Sequence, residues 1–147
     1  SEMCIRDRIS IAELFTDLKK LFPEEEFQFE VPSPELKLNV DRTQIEQILI
    51  NLLKNAREAC SRKSDKKIQV KARKLSAGNT TLTISDNGEG ILPDVLDKIF
   101  VPFFTTKTSG SGIGLSLCKQ IMTLHEGSIN VKSEVGKGSS FILTFPK

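Results

Sequence analysis

The chain has 147 residues, room for one ordinary domain, and its 38% hydrophobic and 27% charged content is that of a globular rather than a disordered chain. With 21 Lys and Arg against 19 Asp and Glu the net charge is only +2, too even for a dedicated nucleic-acid binder. One histidine (His125) and three widely spaced cysteines (Cys4, Cys60, Cys118) exclude a His-based zinc site or a CxxC knuckle, and no apolar run reaches the roughly 18 residues that a membrane span needs.

The odd cysteine count fits a reducing, cytosolic compartment. Trp and Tyr are absent and Phe supplies every aromatic, so a stacking platform for single-stranded nucleic acid is not expected. Residues 1–8 read SEMCIRDR. The codons ATG-TGT-ATA-AGA-GAC encode Met3 to Asp7 and resemble a transposon end used to tag sequencing libraries. Residues 1–8 are therefore expected to be adapter-derived or disordered, with the folded domain over 9–147 and the natural protein continuing upstream.

In chain order, Ser10 with Glu13 forms a capping box, and Ile11, Leu14, Phe15, Leu18 and Leu21 follow at helical spacing. Pro23 closes that helix. Phe27, Phe29 and Val31 alternate as a strand, Pro32 and Pro34 break it, and Leu36, Leu38 and Val40 alternate again. Asp41 and Gln44 cap a long helix of roughly 20 residues, with an apolar stripe from Ile45 through Leu52 to Ala59. Strands at Ile68–Lys74 and Thr80–Asp86 flank a Gly78-Asn79 turn and predict a hairpin. Pro93 starts a short helix through Ile99; residues 101–114 read as a loop. A helix from Leu115 to His125 stops at Gly127. Ser128–Glu134 and Ser140–Phe145 form a second hairpin around Gly136 and Gly138. Helices and strands without strict βαβ alternation predict an α+β fold, with helices on one face of a mixed sheet.

Four clusters can carry chemistry. Asn51, Asn55 and Glu58 share one face of the long helix, offset from its apolar stripe. Asn is a poor helix former, so the pair suggests a polar wall with hard amide oxygens for a metal; a solvated face is the plainer reading. Asp86-Asn87-Gly88-Glu89-Gly90 ends an apolar strand, where a carboxylate can accept from an exocyclic amine; it is also an ordinary turn. Gly110-Ser111-Gly112-Ile113-Gly114 opens a helix, where unpaired N–H groups favour an anion. It is neither a P-loop nor a Rossmann fingerprint, and a flexible helix entry reads the same way. Phe100 to Lys107 packs three phenylalanines into five residues beside a lysine able to reach a phosphate; aromatics pinning a loop are compatible with that.

Taken in order, these clusters resemble the ATP-binding catalytic domain of bacterial sensor histidine kinases, in the GHKL (Bergerat) superfamily. NLLKNAREA at 51–59 is similar to the N box, DNGEGI at 86–91 to the G1 box, FVPFFTTK at 100–107 to the F box, and GSGIGLSLCKQIM at 110–122 to the G2 box. The resemblance covers residues 10–147. It implies a two-layer α/β sandwich holding ATP and Mg²⁺, in which Asn55 holds the metal and Asn51 lines the same wall. Asp86 would receive the adenine amine and Ser139 would help through water. Gly88 and Gly90 would allow close approach, and Ile91 would pack near the base. Residues 92–111 would form a lid, with Thr106 and Lys107 near phosphate. Gly112, Ile113, Gly114 and Leu115 would present the G2 backbone to it.

Hydrolytic branches of the superfamily carry a Glu where this chain has Asn51. An amide cannot act as a base, which favours phosphoryl transfer to a histidine over a GHKL-type ATPase or protein serine kinase, the alternative. His125, in the turn after the G2 helix, is read as structural. The acceptor is expected on a dimerisation and histidine-phosphotransfer domain of the same kinase, passing phosphate to a response regulator. No nucleic acid and no direct membrane contact are expected, with a cytoplasmic location whether or not the parent kinase is anchored in the inner membrane.

Overall fold

The computed structural model describes residues 4–104 and 114–147. The elements run β1 (Asp7–Ser10), α1 (Ile11–Leu21), β2 (Phe27–Phe29), β3 (Lys37–Val40), α2 (Arg42–Ala59), β4 (Ile68–Lys74), β5 (Thr80–Asp86), α3 (Pro93–Leu96), α4 (Gly114–Leu124), β6 (Ser128–Glu134) and β7 (Gly138–Phe145). Five strands form one mixed sheet in the order β2-β4-β5-β7-β6, in which β2 and β4 are parallel and the other neighbours antiparallel. A separate two-stranded ribbon pairs β1 with β3.

Period-2 patterning makes one sheet face apolar. Ile68, Val70, Leu82, Ile84, Phe141, Leu143 and Phe145 are buried on it, whereas Gln69, Lys71, Thr81, Thr83 and Thr144 alternate onto the other face. The helices cover the apolar face. In α2, Ile45, Ile48, Leu49, Leu52, Leu53 and Ala56 recur at helical spacing and are all buried. Both long N-terminal caps form as the sequence predicts. The Ser10 hydroxyl accepts the Glu13 N–H at 3.3 Å, and Asp41 accepts the Gln44 N–H at 3.1 Å. Arg57 stacks over Phe22 and Phe27, 5.1 and 5.4 Å from the ring centroids, and so pins the end of α2 to the start of β2.

Several boundaries differ from the sequence reading. β1 was not predicted, because its four residues lead straight into the Ser10 cap. β2 stops at Phe29, leaving Val31 exposed. The helix after Pro93 ends at Leu96 rather than Ile99. β7 begins at Gly138, two residues earlier than expected.

The stop of α4 falls on Glu126 rather than Gly127. Glu126 has φ of 60°, and the Gly127 N–H reaches back to the Met122 carbonyl at 2.9 Å, a Schellman closure with a glutamate in the left-handed position. Glu126→Gly is therefore expected to stabilise the fold by about 0.5–1 kcal/mol, read as a higher urea midpoint at unchanged slope. The exposed Arg6–Glu126 pair that it removes is worth little.

His125 is buried and structural. Its Nδ1 donates to the Ile121 carbonyl at 2.9 Å, and its Nε2 accepts the Asp41 N–H at 3.0 Å. The ring thus ties the last turn of α4 to the cap of α2.

Candidate nucleotide site

Two groups of side chains meet along α2. At its middle, the Asn55 amide donates to Asn51 Oδ1 at 3.4 Å. The first residue of α4, Gly114, lies against the same amide, so that a Cβ there would sit 2.5 Å from Asn51 Nδ2. The absence of a side chain at residue 114 lets α4 start against this amide without displacing it. An open groove of about 710 Å³ runs along this face, and Gln47, Asn51, Lys54, Asn55 and Glu58 line it. Leu115 is half-buried in the first turn of α4. Thr106, Lys107, Gly112 and Ile113 lie outside the described residues.

The second group gathers at the C-terminal end of α2. Asp86 closes β5 on the helix-covered side of the sheet, continuing the Thr80, Leu82, Ile84 alternation. Its carboxylate accepts the Gly88 N–H at 2.8 Å and the backbone N–H of Ser139. Burial pushes its pKa above the ordinary carboxylate value, and those two N–H groups hold it back only in part. A half-buried carboxylate kept partly undersolvated is a strong acceptor for one well-placed N–H donor.

The loop after Asp86 is held against α2 and the last hairpin. The Glu89 N–H donates to the Ala59 carbonyl at 3.1 Å, and a Cβ on Gly88 would come within 2.6 Å of the Ala59 carbonyl carbon. The Gly136 N–H donates to the Glu89 carbonyl at 2.9 Å. Gly90 packs on the Glu134 backbone, and Ile91, half-buried, donates its N–H to Ser133 Oγ at 2.8 Å. Close approach at Gly88 and Gly90 is thus made to neighbouring backbone, and it holds the loop after Asp86 against the end of α2 and the last hairpin.

Register brings Ser139 opposite Asp86 on one side and opposite Ser133 on the other. The two serine hydroxyls are 2.8 Å apart. Ser133 was not among the residues singled out from the sequence. A signal was present: it stands on the same face of β6 as Ile129 and Val131, where an apolar residue is the ordinary choice.

Asn87 is a brace, with its side chain bonded to the Asp65 carbonyl and the Lys67 N–H at 2.8 and 2.9 Å. Cys60, fully buried, lies 3.5 Å from Asn87 Oδ1, and burial raises its pKa; Cys118 is pushed up to about 12. Both are packed thiols rather than nucleophiles.

The donor set fits a nucleotide with its metal. No cluster of three His, Cys, Asp or Glu among the described residues could hold a metal alone. One amide oxygen on a helix beside the start of another helix suits Mg²⁺, an oxygen-seeking ion that keeps several waters and binds phosphates. No described helix is long and apolar enough to cross a membrane.

Comparison with known proteins agrees with this geometry. The family described as "Histidine kinase-, DNA gyrase B-, and HSP90-like ATPase" matches residues 40–147. The sensor histidine kinase ZraS of Salmonella typhimurium is 39% identical over 110 residues, which is 75% of this chain and 23% of that protein. The catalytic domain of histidine kinase ThkA, 34% identical, superposes with a TM-score of 0.84 over 97% of this chain and 96% of that one. ThkA in complex with the response regulator protein TrrA matches at 30% identity and TM-score 0.78, over 98% of this chain and 42% of that one. The chain therefore belongs to the histidine kinase-, DNA gyrase B- and HSP90-like ATPase family, as a catalytic domain of the histidine kinase type.

Proposed function

We propose that this domain binds Mg-ATP along α2 and presents its γ-phosphoryl group to a histidine on a separate dimerisation and phosphoacceptor domain of the same kinase. The observation that carries the reading is that one helix, α2, bears Asn51 and Asn55 together, with Gly114 against Asn51, while the loop after Asp86 is seated on Ala59 at its C-terminal end. In it, Asp86 accepts the adenine amine, Ser139 assists through water, and Ile91 packs beside the base. Asn55 supplies the protein oxygen for the metal, Asn51 walls the phosphates, and Gly114 opens a helix whose N-terminus favours them. The family resemblance would add Thr106, Lys107, Gly112 and Ile113, which lie outside the described residues, as phosphate-binding groups. ATP brings the transferable phosphoryl group, and the bound metal neutralises its charge. The contribution of the chain is orientation and exclusion of water.

Asn51 also supports transfer over hydrolysis, since an amide offers no base to an attacking water. His125 is unsuited as acceptor, because both ring nitrogens are engaged inside the fold. The acceptor histidine in this reading is supplied by a separate phosphoacceptor domain. A response regulator, as in the ThkA–TrrA complex, is the onward acceptor.

The test is label transfer from γ-labelled ATP, with Mg²⁺, to a supplied histidine hairpin from a related kinase. Label is expected on the hairpin and not on this chain, at least tenfold above any hydrolysis. Steady hydrolysis by the chain alone, abolished by Asn51→Ala, would point to the ATPase reading instead.

A further inference from the structure

At the end of the sheet where Asp86 lies, the helix-covered face carries a polar rung. Across that rung the partners run Ile68, Asp86, Ser139 and Ser133 on β4, β5, β7 and β6. Two rungs in, the same face holds Ile84, Phe141 and Val131. Three adjacent strands thus switch from apolar to polar together, which a plain strand end does not require.

Ser133 is the hub of this rung. Its Oγ accepts the Ile91 N–H at 2.8 Å, lies 3.1 Å from the Gly138 carbonyl and sits 2.8 Å from Ser139 Oγ. A hydroxyl has a single proton. With the Ile91 N–H accepted, that proton goes either to the Gly138 carbonyl or to Ser139. In the first case Ser139 donates to Ser133 and keeps lone pairs for the site; in the second its own proton is free to point there. Ser133 therefore decides whether the hydroxyl beside Asp86 serves as donor or acceptor. Through Ile91 it also ties the DNGEGI loop to the β6–β7 hairpin.

We propose that Ser133 is a positioning residue for purine recognition: it sets the Ser139 hydroxyl and the loop after Asp86 so that the carboxylate meets a 6-amino group. This rests on the reading of Asp86 as the acceptor of the adenine amine. Ser133 itself does not touch the base. It acts through Ser139 and Ile91, so its loss should blunt discrimination between purines more than binding of the triphosphate.

The experiment compares the affinities of the whole chain, with Mg²⁺, for ATP and for purine riboside triphosphate, which lacks the 6-amino group. The wild type is expected to prefer ATP at least tenfold. Ser133→Ala should reduce that preference to threefold or less, while affinity for the analogue changes less than twofold. Ser133→Thr, which restores the hydroxyl in a strand-favouring residue, should recover the preference. Ser139→Ala, with the Ile91 N–H still bonded to Ser133, should also reduce it and serves as the readout if Ser133→Ala does not fold. A full preference in Ser133→Ala or in Ser139→Ala, or equal weakening of both ligands, overturns the proposal. Equal affinity of the wild type for the two ligands overturns the assignment of Asp86 itself, and this inference with it.

Discussion

Asp86→Asn is expected to weaken binding of ATP by about 1.5–3 kcal/mol, the cost of losing a charge-assisted hydrogen bond, or roughly 10- to 150-fold in Kd. The substitution keeps the size of the side chain and an oxygen able to accept the Gly88 and Ser139 N–H groups. It turns the outward acceptor into an amide that, placed N–H outward, opposes the donor on the base. Isothermal titration with Mg-ATP measures the loss, and unchanged affinity would remove Asp86 from the site.

The same residue predicts opposite movements of stability and binding. Burial raises the Asp86 pKa in the folded protein. A raised carboxylate contributes stability at low pH that is lost as pH rises through the folded pKa, so at neutral pH its charged form is a burden on the empty domain. Asp86→Asn should therefore raise the melting temperature without nucleotide while lowering affinity. In the wild type, ATP binding should fall on acidification, starting at a higher pH than an ordinary Asp, near 3.9, would give.

Gly138→Ala should have the largest effect on the fold. Gly138 has φ of +129°, which side chains rarely adopt, and an added Cβ would overlap the Asp86 carbonyl oxygen and stand 2.9 Å from Asn87 Cα. Every obstacle is backbone, at the end of β5 and the residue after it, so no rotamer can yield. Overpacking and backbone strain together suggest a loss of about 3–4 kcal/mol, or a fall in Tm of roughly 10 °C. Gly136→Ala is the control. Its φ is +82° but nothing lies within 4 Å, so it should cost only about 1 kcal/mol. Equal urea midpoints for the two variants would refute the close approach at Gly138.

Much of this arrangement was legible in the residues because local rules dominate it. β4 and β5 carry clean alternation and a Gly-Asn turn, and α1 and α2 carry side-chain caps that the structure forms. Asp86 stood out because a carboxylate closes an apolar strand, a position that also suits an ordinary turn. β1 was missed because Asp7–Ser10 is short and pairs with residues about thirty positions away. Ser133 was missed for a related reason: a lone serine near a strand end says little until register sets it beside Ser139 and Ile91. The stop of α4 was misplaced by one residue because glycine is the expected left-handed residue, and here the glutamate before it adopts that conformation.

The strand order has a consequence for how the domain comes into being. β7 is last of the strands in sequence yet lies inside the sheet, between β5 and β6. Until it docks, β5 presents an unpaired edge beside a hydrophobic face, the kind of surface that recruits other chains. It also brings Ser139, so during synthesis on the ribosome the proposed seat for the base is assembled last. A nascent domain holds its core helices well before it can hold a nucleotide, and ligand capture then reports that the final strand has found its place.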